Sequence, residues 1–149
     1  MTIHSVIGLP KALAISAGLV AGAARCWRVA RDSGEPVQRC LYALLNPLDY
    51  GMLSPVFDSL MTLCEAALGR KIMVGAAARL SDDEHLLLGL LDGSRQRRAC
   101  IDCAPGAASA LDCAVCSTRI MLALAAGAAP EPRAPAVRWD GPTPSRTAA

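Results

Sequence analysis

Only five residues of the 149 are aromatic (Trp27, Trp139, Tyr42, Tyr50 and Phe57), although 53% of the chain is hydrophobic. A core must therefore be assembled from Leu, Ala, Val, Met and Cys. Side chains of that kind favour closely packed helices, because strands draw on β-branched and aromatic residues. The length suits one domain. We read residues 1–126 as a single all-α domain, an irregular bundle of about five helices with short connections. From Pro130 onward prolines stand among Ala, Arg, Thr and Ser with almost no apolar clusters, so residues 127–149 are expected to form a disordered tail.

End signals place the helices. Lys11 to Arg31 follows Pro10, contains no proline and stops at Asp32-Ser33-Gly34. Within it Gly18 and Gly22 stand four apart, a pattern that predicts close packing on a neighbouring helix. Pro36 opens a second helix whose Val37, Cys40, Leu41, Leu44 and Leu45 share one apolar stripe, and Asn46-Pro47 closes it. Ser54 is expected to cap a third helix with Pro55 in its first turn, Phe57, Leu60, Met61, Cys64 and Leu68 on its buried face, and Gly69 as its stop. Lys71-Ile72-Met73-Val74 reads as a strand-like connector without a partner. Ser81-Asp82-Asp83-Glu84 has the type and spacing of a capping box. The Leu86, Leu87, Leu88, Leu90, Leu91 helix behind it is expected to lie at the centre of the bundle and to end at Asp92-Gly93. Pro105-Gly106 is read as a separator before a last helix from Leu111 to Ala125.

The bulk numbers exclude several classes. A net charge of +2 makes no strong field for nucleic acid or a membrane surface. No GxxxxGK[ST] or GxGxxG is present, and two histidines do not make a histidine-rich metal site. Asp82, Asp83, Glu84 and His85 resemble an acid/base knot, but carboxylates in a first helical turn are what the helix dipole prefers, and we assign no catalytic residues there. An enzymatic role is thus not the leading reading.

Seven cysteines, an odd number with Cys26, Cys40 and Cys64 inside expected helices, do not make a fully paired secreted framework. Cys100-x-x-Cys103 and Cys113-x-x-Cys116 could supply four thiolates to a tetrahedral zinc, the second pair at the start of a helix. The same residues also fit packing as small hydrophobes, a redox pair or an iron–sulfur cluster. Arg25 and Arg28 share a helix face and could contact phosphates. Arg95, Arg97 and Arg98, with Arg119, form the alternative nucleic-acid surface. Leu80 to Leu91 looks like the first helix of a LuxR-type helix-turn-helix, although Ala107 to Ile120, which would read the major groove, offers Arg119 as its one basic side chain.

The run from Ala12 to Ala24 is apolar except for Ser16, is too short to span a bilayer, and continues into Arg25, Trp27 and Arg28 as an amphipathic helix would. No membrane span and a cytoplasmic protein are expected; the alternative is export, with residues 1–24 as a signal peptide. In order, the Arg-bearing first helix, Ser59-Leu60-Met61, Gly69-Arg70, Ile72-Met73-Val74, Ala76-Ala77-Ala78 and Ser81-Asp82-Asp83-Glu84 with its Leu run resemble a small alphaproteobacterial family of uncharacterised proteins over residues 10–92. The family carries consecutive cysteines where this chain has Ala76 to Ala78, and the resemblance implies no activity. The functional expectation is a non-enzymatic interaction module, binding a protein partner or itself, with a structural zinc on the four cysteines. A nucleic-acid-binding regulator is the second reading and a thiol redox protein the third.

Overall fold

The computed structural model describes residues 11–127. The expected tail beyond Gly127, His4 and the first ten residues of the signal-peptide alternative lie outside the described residues. Six helices follow one another: α1 (Lys11–Ser33), α2 (Val37–Leu45), α3 (Ser54–Leu68), α4 (Asp82–Asp92), α5 (Arg97–Cys100) and α6 (Pro105–Ala125). Two single 3-10 turns, Asn46–Leu48 and Gly51–Leu53, join α2 to α3. No strand occurs among the described residues; one isolated bridge pairs Ala76 with Arg79. The all-α reading holds, and the expected stops at Gly34, Gly69 and Gly93 fall on left-handed residues (φ +72°, +68° and +81°), a conformation that costs glycine least.

Helix α3 takes the middle position, packing against α1, α2 and α6, while α4 lies to one side between α1 and α6. This corrects the expectation that the Leu-rich α4 is central. Its Leu86, Leu87 and Leu90 are buried, but Leu88 and Leu91 are only half-buried. Phe57, Leu60 and Met61 of α3 meet Trp27 of α1, Leu41 and Leu45 of α2, Leu53 and Leu111 in one cluster, all of them fully buried. Each such side chain contributes about 1.5–3 kcal/mol by leaving water. Trp27 also makes polar contacts: its indole N–H donates to Asp58 Oδ1 at 2.9 Å, and the Arg28 and Arg31 guanidinium groups lie over its ring, each 5.2 Å from the centroid.

Four local expectations change. Ser54 does not cap α3; its buried hydroxyl donates to the Gly51 carbonyl at 2.8 Å. Among the described residues nothing approaches within 4 Å of where a Cβ on Gly18 or Gly22 would stand, so the close approach expected there is not seen, and the small residues of α1 described as buried are Ala21, Ala23, Ala24 and Ala30. Leu44 leaves the α2 stripe and is 39% exposed. Helix α6 begins at Pro105, not Leu111, because proline suits a first turn and Gly106 is tolerated there.

The connector between α3 and α4 has no partner strand, and side chains take over the work of a ladder. Ile72 N–H donates to Glu65 Oε2 (3.1 Å), Met73 N–H to Asp83 Oδ2 (2.8 Å), and the Ser81 hydroxyl to the Met73 carbonyl (2.7 Å). Ile72 is thereby held 2% exposed against the core. Gly75 is obligatory in this path: a Cβ there would stand 2.1 Å from the Arg79 carbonyl oxygen and 2.8 Å from Glu84 Oε2.

Candidate functional site

Arg25 and Arg28 are spent on the fold and not presented to phosphates. Arg25 Nε donates to Glu84 Oε1 at 2.7 Å and its Nη1 to the Ala77 carbonyl at 2.7 Å. Arg28 bridges Glu65 and Asp32, the latter at 2.9 Å. A third pair, Arg70 with Asp83, is two-pronged at 2.7 and 2.8 Å. The capping box is present as expected, the Ser81 hydroxyl accepting from Glu84 N–H (3.1 Å) and Glu84 accepting from Ser81 N–H (2.8 Å). Burial alone would raise the Glu84 carboxyl, but donors from Arg25, Ser81 and Gly75 outweigh it and hold it below the ordinary glutamate value. The Arg70 hydrogen bonds hold Asp83 low, against the opposing effect of burial. Asp83 and Glu84 of the acid knot therefore clamp the fold, with a long-range part that spacing along the chain could not reveal.

The four candidate zinc ligands are spread over α5, the segment after it and α6. Cys100 ends α5 and is exposed, Cys103 is half-buried, and Cys113 and Cys116 are exposed in the third and fourth turns of α6 instead of at its start. Among the described residues no three of His, Cys, Asp or Glu gather into a group that could hold a metal ion. All seven cysteines are free thiols. Cys64 is buried, and that burial pushes its pKa up to about 12. Burial also raises Cys26 and Cys40, which line one shallow groove between α1 and α2 with Glu35.

Three of the four candidate nucleic-acid arginines do converge. A cleft of about 270 Å³ between the α4–α5 turn and α6 is lined by Arg95, Gln96, Arg97, Asp112, Cys116 and Arg119. Arg98 is not among its lining residues and is exposed. Arg97 is anchored, its Nε donating to Asp112 Oδ1 at 2.6 Å.

The opposite edge of α6 is apolar and uncovered. A groove of about 370 Å³ runs between α3 and α6, lined by Pro55, Val56, Leu63, Ala110, Cys113 and Ala114 with two serines and no charged residue. Two turns beyond Cys113 and Ser117 on the same face, Ile120 and Leu124 are 55% and 54% exposed. Helix α6 is long and apolar enough to cross a membrane by length and composition alone, and little of it is buried. It nevertheless carries Asp112 and Arg119, charges that hydrocarbon disfavours, and it packs on α3 and α4. No protein-family model, no curated protein and no solved structure matches this chain.

Proposed function

We propose that the chain is a non-enzymatic interaction module that pairs with a second copy of itself through α6. What supports the reading is the self-complementary relief of one face: a charge-free groove at Ala110, Cys113, Ala114 and Ser117, and two aliphatic knobs, Ile120 and Leu124, two turns further on. A two-fold axis near Cys116 sets Ile120 of each copy opposite Cys113 of the other and Leu124 opposite Ala110. An isologous contact of this kind closes on itself. Covering the face removes the exposed apolar surface that a soluble monomer seldom carries. The odd cysteine count, with six of the seven thiols set in helices, fits a reducing cytoplasm.

Mild oxidation tests the arrangement, because exposed Cys116 lies beside the axis. The expected product is a covalent dimer, lost in Cys116→Ser, kept in Cys100→Ser and suppressed by Ile120→Glu. Cross-linking that ignores Ile120→Glu, or that runs through Cys100, overturns the pairing. A monomer whose stability falls on Ile120→Glu overturns it too, in favour of a groove filled from within the same chain.

A further inference from the structure

We infer that the cleft between the α4–α5 turn and α6 is a binding site for a small dianionic oxyanion of the phosphate-monoester class. Three guanidinium groups (Arg95, Arg97, Arg119) face one carboxylate, Asp112, across its lining, which leaves a formal surplus of two positive charges. Arg97 is already paired with Asp112 and also reaches the Ile101 carbonyl at 3.5 Å. Arg95 and Arg119 make no side-chain hydrogen bond or ion pair among the described residues, although they line the same cleft from opposite sides. Two guanidinium groups that line one cleft repel each other, and an oxyanion bound there relieves that repulsion while accepting their hydrogen bonds.

Gly89 of α4 and Gly93, which ends it, make room for this arrangement. Gly89 interrupts the leucine run in mid-helix, where glycine is intrinsically unfavourable. A Cβ there would lie 2.6 Å from Arg95 Cγ and 2.7 Å from its Cδ, so the stem of Arg95 crosses α4 over the space that Gly89 leaves. The Arg95 N–H donates to the Gly89 carbonyl at 3.0 Å, fixing the base of the same side chain. One turn on, Arg119 Nη2 rests against Gly93, 3.5 Å from where its Cβ would stand. Both arginines thus lean on this segment, Arg95 by its stem and Arg119 by its guanidinium, while each stays exposed to solvent and open to a ligand. Gln96 adds a neutral donor. The volume of about 270 Å³ lies below the range of pockets that take drug-sized ligands and suits a phosphate group. A duplex would instead need basic side chains set along its backbone, and Arg98 lies outside the lining.

The test is calorimetric titration of the full chain with inorganic phosphate at constant ionic strength, with a chloride control and a DNA duplex as a separate arm. Phosphate is expected to bind with Kd on the order of 1 mM. Arg95→Gln with Arg119→Gln should weaken it at least about tenfold, and Arg98→Gln should leave it within about twofold. Gly89→Ala alters no charge and suits a helix, yet should weaken phosphate several-fold by displacing Arg95; it also serves if the double variant fails to fold. No phosphate binding, binding unchanged in the double variant or in Gly89→Ala, or duplex binding without phosphate binding each overturns the site. Pairing through α6 is read separately, from the Ile120→Glu variant, which alters no residue of the cleft lining.

Discussion

Glu84 shows how much one carboxylate can organise. It closes the start of α4 by accepting from its own N-cap, receives Arg25 from α1, and takes the Gly75 N–H of the connector. Half of that role was legible in the sequence, because a capping box is a local pattern of spacing three. The other half was not, since Arg25 and Glu84 stand 59 residues apart and periodicity reports only neighbours along one helix. Glu84→Gln removes the charge from a buried junction and should cost about 2–3 kcal/mol in denaturant unfolding. Asp83 and Glu84 are both held below their ordinary values in the fold. A lowered folded value stabilises the native state fully above the unfolded carboxylate range, about pH 4 to 4.5, and that stabilisation is lost as pH falls through the folded values. Thermal melts should therefore drop steeply below about pH 4, and less steeply in Glu84→Gln. Thiols offer a second residue-scale check. Exposed Cys100, Cys113 and Cys116 should react with a thiol reagent at once, whereas Cys64 should react only at the rate of unfolding.

Among the elements, α6 departs furthest from what its residues announced. Pro105-Gly106 reads as punctuation, yet the rule that admits Pro55 to the first turn of α3 admits Pro105 to the first turn of α6. Moving the start back by six residues sets Cys113 and Cys116 in mid-helix, away from the dipole end that would favour thiolate. The rank of α4 was misjudged for a different reason. A run of leucines specifies that a helix is buried, not which neighbour buries it, and the Arg25–Glu84 pair ties α4 to α1. The two faces of α6 predict opposite outcomes. Leu111, fully buried against α3, should cost about 3 kcal/mol when truncated to Ala. Ile120→Glu, on the uncovered face, should leave the melting curve of the dilute protein within about 0.5 kcal/mol of the parent.

For the whole molecule, helix existence and helix stops were readable because each rests on neighbours a few residues apart: the stripe of Leu41 and Leu45, the left-handed Gly69, the box at Ser81. The convergence of Arg95, Arg97 and Arg119 was half readable, since the sequence grouped them as a cationic set but could not separate Arg98 from the cleft or see that Gly89 seats Arg95. The groove between α3 and α6 left no mark in the sequence, because it is made by two helices that meet only after folding. That groove carries the central claim, and light scattering on the full chain across a concentration series tests it most directly. The account predicts a mass approaching about 31 kDa, twice the chain's 15.5 kDa, by about 100 μM, returning to the single-chain mass when Ile120 and Leu124 are both replaced by Glu. A parent protein that keeps the 15.5 kDa mass throughout the series contradicts it.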